Sequence, residues 1–213
     1  MVAIYLSYFI EKTTPAYGGE KNCIQFEKIR SIGNGDTSNN LRICLPTHIG
    51  THIDFPYHFK EYGKKSSDYL PSFWLFNKIG FLNCSIEEVP NQVENLPNDI
   101  ELLILKTGFG AKRNSDEYWA SQPVIPASFA GIFRQKFPRL RVFGFDLISL
   151  TSKLDRAEGK RAHLDFLIAN EILVLEDMKL DALETAPDKI IISPLQLMEA
   201  DGAPCTVIAY TQE

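Results

Sequence analysis

Three of the four histidines in this chain fall inside one stretch, HIGTHIDFPYH, residues 48–58, with an aspartate among them. His48, His52, Asp54 and His58 are separated by even numbers of residues. In an extended chain even spacing places side chains on one face, because successive residues alternate. The interleaved Ile49, Ile53, Phe55 and Tyr57 are suited to anchor the opposite face in a core. A helix fits less well: it would bring His48 and His52 together but turn Asp54 away, and Gly50, Thr51 and Pro56 all weaken it. The HExxH pattern of zincin helices is absent, since Ile49 stands where its glutamate would be. Fully extended, the stretch would reach about 33 Å, too far for one ion to touch both ends. Gly50 and Pro56 supply places to bend. The segment therefore predicts a bent, non-helical strand that gathers His48, His52 and Asp54. Two neutral imidazoles and a carboxylate suit Zn²⁺ or Mn²⁺ and leave coordination positions for water. His58 would stand nearby, able to move protons near neutral pH.

The rest of the composition narrows the setting. With 213 residues, 45% hydrophobic and 23% charged, the chain suits a single globular domain over residues 1–213. A formal net charge of −5 with scattered Lys and Arg gives no nucleic-acid footprint, so the expected partner is a small-molecule substrate. The apolar opening MVAIYLSYFI reads as a strand, and no later apolar run has membrane-spanning length. Four dispersed cysteines without a CxxC pair argue against a disulfide framework or a zinc ribbon, and a cytoplasmic location is expected.

Periodicity predicts strands at 1–10, 24–29, 41–45, 74–86, 101–108, 141–146, 171–177, 188–195 and 204–210, with helices at 128–137 and 160–170. The 24–29 strand alternates as if half-buried, and Cys44 reads as a core residue. The total is a mixed, strand-rich α/β fold: one sheet, or a barrel-like core, with flanking helices. The aromatics Tyr17, Tyr57, Phe59, Phe73 and Trp74 are candidates to line a pocket for a flat substrate. Asp146 and Ser149, at a strand end, are candidate substrate contacts or loop caps.

HIGTHIDFPYH resembles the HxGTHxDxPxH signature of the cyclase family of metal-dependent hydrolases, which includes bacterial kynurenine formamidase and isatin hydrolase. His48, Gly50, Thr51, His52, Asp54, Pro56 and His58 occupy every fixed position. Weaker similarities run through Leu6-Ser7, Pro15 to Gly19, Thr107-Gly108, Gly144 to Ser149, AHLDFLIANEILVLEDM (162–178) and DGAPCTVIAY (201–210). The resemblance implies a swivelling β/β/α-like fold and hydrolysis of an amide, formamide or cyclic amide. It implies that His48, His52 and Asp54 bind a first divalent ion. Asp54 would bridge to a second in members that hold two, with His163 and Glu176 completing that second position and Glu171 a lesser alternative to Glu176. It further implies that His58 is the general acid/base and that the protein is a homodimer or homotetramer. Tyr17-Gly18-Gly19-Glu20 and Thr206 depart from the family pattern near its substrate pocket. Two other classes use similar residues: a non-haem metal oxygenase with a facial triad, and a non-catalytic metal- or ligand-binding protein.

Overall fold

Runs such as Leu102–Lys106 and Val142–Phe145 are apolar on both faces, and a strand of that kind is buried only when both sides are covered. The computed structural model describes residues 1–212. Its strands are β1 (Val2–Tyr5), β2 (Gln25–Arg30), β3 (Asn40–Cys44), β4 (His52–Asp54), β5 (Leu75–Phe76) and β6 (Ile79–Asn83), then β7 (Leu102–Lys106), β8 (Val142–Phe145), β9 (Leu173–Glu176), β10 (Lys189–Pro194) and β11 (Gly202–Thr211). Two helical turns, α1 (Val89–Gln92) and α2 (Glu117–Ala120), precede the longer α3 (Ser128–Lys136) and α4 (Arg156–His163).

Strands β6, β7, β8 and β9 are parallel neighbours. From β9 onward the pairing is antiparallel, through β4, β11 and β10 to β5, with β1 also paired to β11. The result is a mixed, nearly closed, barrel-like sheet with a few helices, as expected from sequence. α3 starts just after Pro126 and buries Phe129, Ala130 and Phe133. Phe133 meets Phe143 of β8 edge-on at 5.1 Å, and Phe143 stacks on Phe166 at 5.3 Å. α4 is capped by Asp155, whose carboxylate accepts the Glu158 N–H at 2.9 Å. It runs without a break into a π-helical turn, Leu164–Ala169, directly after His163.

Some expectations change. The first strand is limited to β1, and the 74–86 run splits into β5 and β6. The 24–29 strand is not half-buried, and Cys44 is exposed rather than a core residue. The reason is topological: β2 and β3 pair only with each other in a ribbon off the main sheet. Alternation specifies two faces, but it does not guarantee that anything covers one of them. Among the described residues no helix is long and apolar enough to cross a membrane.

Phe143 joins the parallel strands to α3 and to the π-helical turn. Phe143→Ala is expected to cost about 3–5 kcal/mol, read as a lowered midpoint in urea unfolding.

Candidate metal centre

β4 is three residues long, fully buried, and flanked on both edges. Its register sets His52 opposite Glu176 of β9 and Asp54 opposite Gly202 of β11. Before β4, Gly50 takes φ 60° and turns the chain so that His48 folds back, its Nδ1 2.8 Å from Asp54 Oδ1. After β4, a 3₁₀ turn at Pro56–His58 returns His58 to within 4.0 Å of the His48 ring, centroid to centroid. The anticipated bent strand is therefore extended only across β4 and turns on either side. From the end of α4, His163 Nε2 approaches Asp54 Oδ2 at 3.4 Å and Glu176 Oε1 at 3.6 Å. His52 Nε2 lies 3.5 Å from Asp54 Oδ1 and 3.3 Å from Glu176 Oε2.

The second nitrogen of each of three imidazoles is already engaged. His52 Nδ1 donates to the Gly50 carbonyl at 2.8 Å, and His163 Nδ1 donates to the Gly159 carbonyl at 2.8 Å. His48 Nε2 donates to Asp201 Oδ2 at 2.9 Å. A carbonyl or carboxylate can only accept, so each outer nitrogen carries a proton, and each inner nitrogen, which faces the carboxylates, offers a cation its lone pair once its own proton leaves. His52 Nε2 is buried and has no hydrogen-bond partner. Such an orphaned acceptor is rare, and a divalent cation satisfies it. His52, Asp54 and Glu176 lie close enough together to hold one, as do His48, Asp54 and His58, and His163 stands beside Asp54 and Glu176. Their nitrogen and oxygen donors suit a divalent cation.

The electrostatics are self-consistent. Burial pulls the His48 and His163 pKa values down, but hydrogen bonds and charge from the carboxylates outweigh it. Asp54 and Asp201 lift His48 to about 9, and Asp54 and Glu176 lift His163 to about 10. Burial also opposes ionisation of Asp54 and Glu176, yet the surrounding imidazoles hold both below the usual carboxylate range. His58 differs. Burial dominates there and lowers its pKa, so it is neutral at pH 7. Its Nδ1 donates to the same Asp201 oxygen at 3.1 Å.

The cluster opens into a cavity of about 320 Å³. Tyr17, Phe59 and Ser149 line it, together with Pro15, Ile148 and Thr151. Phe59 stacks on His163 at 4.5 Å, and Ser149 donates its hydroxyl to Glu176 Oε1 at 3.2 Å. Four candidate residues are placed elsewhere: neither Tyr57, under the Lys65 ammonium, nor Phe73, beside Trp74, lines this cavity. Trp74 packs among Phe55, Tyr69 and Phe73 and faces a different groove. Asp146 accepts from the N–H groups of Thr107 and Gly108 at 2.8 and 2.9 Å and from the Thr107 hydroxyl at 2.7 Å, which is loop capping. Glu171 is an exposed residue 3.7 Å from Lys64, far from the role Glu176 can fill. Sequence reasoning missed Asp201, which joins His48 to His58. It also missed Gly202, whose missing side chain makes room for the His48 ring; a Cβ there would lie 2.8 Å from Nε2 and 2.9 Å from Nδ1. The only local signal was the acid-glycine pair opening the last strand.

The family model described as "Putative cyclase" matches residues 4–151. Kynurenine formamidase of Bacillus mycoides (strain KBAB4) is 29% identical over 185 residues, covering 86% of this chain and 85% of that one. Kynurenine formamidase of Bacillus cytotoxicus (strain DSM 22905 / CIP 110041 / 391-98 / NVH 391-98) is 30% identical over 172 residues, 78% of each. Among solved structures, isatin hydrolase A from Labrenzia aggregata bound to benzyl benzoate aligns with a TM-score of 0.83 at 16% identity, covering 100% of this chain and 94% of that one. That likeness speaks for the shared fold.

Two predictions follow from the geometry. A cation must displace protons from His48 and His163, so binding of Zn²⁺ to chelator-stripped protein is expected to release protons at pH 7. Its affinity should weaken by at least about tenfold between pH 8 and pH 6, as read by titration calorimetry in weak buffer. Gly202→Ala is expected to displace the His48 ring and lower the metal content of purified protein, measured by elemental analysis.

Proposed function

Because this chain belongs to the cyclase family, we propose that it is a metal-dependent hydrolase cleaving a C–N bond in an amide, formamide or cyclic amide. The observation that carries this is the set of three imidazoles and two carboxylates, four of the five buried, that converge beside His58 on one cavity. The similarity to proteins named kynurenine formamidase and isatin hydrolase supports the choice of bond.

His48, His52, Asp54, His163 and Glu176 would hold one or two ions, Zn²⁺ or Mn²⁺. A bound divalent cation supplies Lewis acidity, which lowers the pKa of water from 15.7 toward about 7 and polarises a carbonyl. The chain's own groups do the rest. His58 is neutral and so accepts the proton lost as water adds to the carbonyl carbon. It then delivers that proton to the nitrogen as the C–N bond breaks. Asp201 receives His58 Nδ1–H, which fixes the tautomer and keeps Nε2 as the working atom. Phe59 and Tyr17 offer apolar surface for a flat acyl or aryl group and narrow the access of bulk water.

An oxygenase would use two histidines and one carboxylate. The additional His163 and Glu176 make a fuller and more anionic donor set, which favours hydrolysis. The reading further takes the protein to work on a small-molecule substrate, as one domain, in the cytoplasm, as a homodimer or homotetramer. Free cysteines at all four positions suit a reducing compartment. The exposed Leu41 and Ile43 on the β2–β3 ribbon suit burial against another copy.

Protein loaded with Zn²⁺ or Mn²⁺ should hydrolyse members of a panel of N-formyl arylamines and cyclic aryl amides without consuming O₂. His58→Ala should keep its metal and lose about 10²–10⁴ in kcat. His52→Ala should lose the metal itself. Full activity in both variants would sink the reading, and oxygen uptake at an electrode would redirect it to the oxygenase class.

A further inference from the structure

A buried ion pair lies directly behind the cluster, and none of the chemistry above uses it. Asp177 follows Glu176, is 1% exposed, and has φ 50°, a left-handed conformation unusual for a residue with a side chain. Its carboxylate accepts from Arg113 Nε at 2.8 and 3.0 Å, from Arg113 Nη2 at 2.7 Å, and from the Tyr118 hydroxyl at 2.7 Å. Arg113 is itself buried, its guanidinium 3.8 Å from the centre of the Tyr8 ring. A buried ion pair is weak support for stability, because both charges must leave water to form it. Strained backbone and desolvated charge together call for a different explanation.

The backbone of Asp177 supplies one. Its N–H donates to the Leu147 carbonyl at 2.8 Å, and its carbonyl accepts the Thr51 hydroxyl at 2.5 Å. Thr51 immediately precedes His52. Leu147 belongs to the loop whose Leu150 N–H and Ser149 hydroxyl hold Glu176 Oε1 at 2.5 and 3.2 Å. Asp177 is therefore fastened both to the strand bearing His52 and Asp54 and to the loop that grips Glu176. With Oε1 held there, Oε2 is the oxygen left facing His52 Nε2 at 3.3 Å.

We propose that Arg113, Asp177 and Tyr118 form a positioning clamp: they fix the left-handed turn after Glu176 so that its carboxylate faces the cation together with His52. The clamp rests on the metal-dependent reading and adds to it three residues outside the set that would hold the ion, of which Asp177 also borders the cavity.

The experiment is uptake of Co²⁺ alone by chelator-stripped full-length protein, followed by absorption, with thermal unfolding measured in parallel. Asp177→Asn keeps size and tolerance of the left-handed region but leaves the Arg113 charge unpaired. Asp177→Asn combined with Arg113→Met removes both charges. Each is expected to bind Co²⁺ at least about tenfold more weakly than wild type, the scale usual for losing a group that orients a ligand. A purely structural role would lower the unfolding temperature while leaving the Co²⁺ affinity of the folded protein within about twofold of wild type, and that result overturns the proposal. If neither variant folds, Tyr118→Phe decides: a fall of about threefold or more supports the clamp, and unchanged affinity overturns it. Wild-type protein that takes up no Co²⁺ overturns the clamp and the hydrolase reading together, whereas normal wild-type uptake with unchanged variants overturns the clamp alone.

Discussion

The pairing of β4 with β9 on one edge and β11 on the other is the constraint on which the site depends. Three residues of strand carry little stability alone, so β4 exists because both neighbours complete its ladder. Side chains alternate along it, and a slip of one residue in register would exchange Ile53 for His52 and Asp54. Ile53 is wholly buried in the main core. The hydrophobic requirement on that one side chain therefore holds the two ligands on the opposite face. β9 then delivers Glu176 beside His52, and the segment before β11 delivers Asp201 beside His48.

Burying His52, Asp54, His163 and Glu176, with His48 half-buried beside them, would be prohibitive if opposite charges did not face one another. Three imidazoles and two carboxylates face one another over 2.8–3.6 Å, and each sign stabilises the other. Protons and a divalent cation compete for the same lone pairs, so the groups that tolerate burial without an ion are the groups that attract one. His58 stands outside this balance. It shares Asp201 with His48, but its pKa is lowered where that of His48 is raised.

Much of this was legible in the sequence for physical reasons. His48, His52, Asp54 and His58 lie within one short segment, where alternation and the bends at Gly50 and Pro56 act locally. The buried strands were legible because residues 102–105 and 142–145 have no polar face, whereas their order in the sheet was not. His163 and Glu176 were reached only through family resemblance, since their meeting with Asp54 depends on how a helix end and a strand end pack. Asp201 and Asp177 were invisible because their partners lie more than a hundred residues away, or across a loop. Trp74 shows the opposite error, and Asp146 took the second of its two expected roles, the loop cap. An acid at a strand end and an exposed-looking aromatic both suggest ligand contact, but backbone N–H groups and neighbouring rings claimed them first.

The π-helical turn after His163 has a bearing on how this architecture tolerates change. In Leu164–Ala169 the wider turn takes up one more residue than α-helical winding would, as the Asn170 N–H reaching back to the Asp165 carbonyl at 2.9 Å shows. Deleting one residue there would tighten the coil to ordinary α geometry while His163, upstream, stayed in place. The slack between His163 and the strand bearing Glu176 is stored in that turn, so the loss of one residue can be absorbed without moving either end.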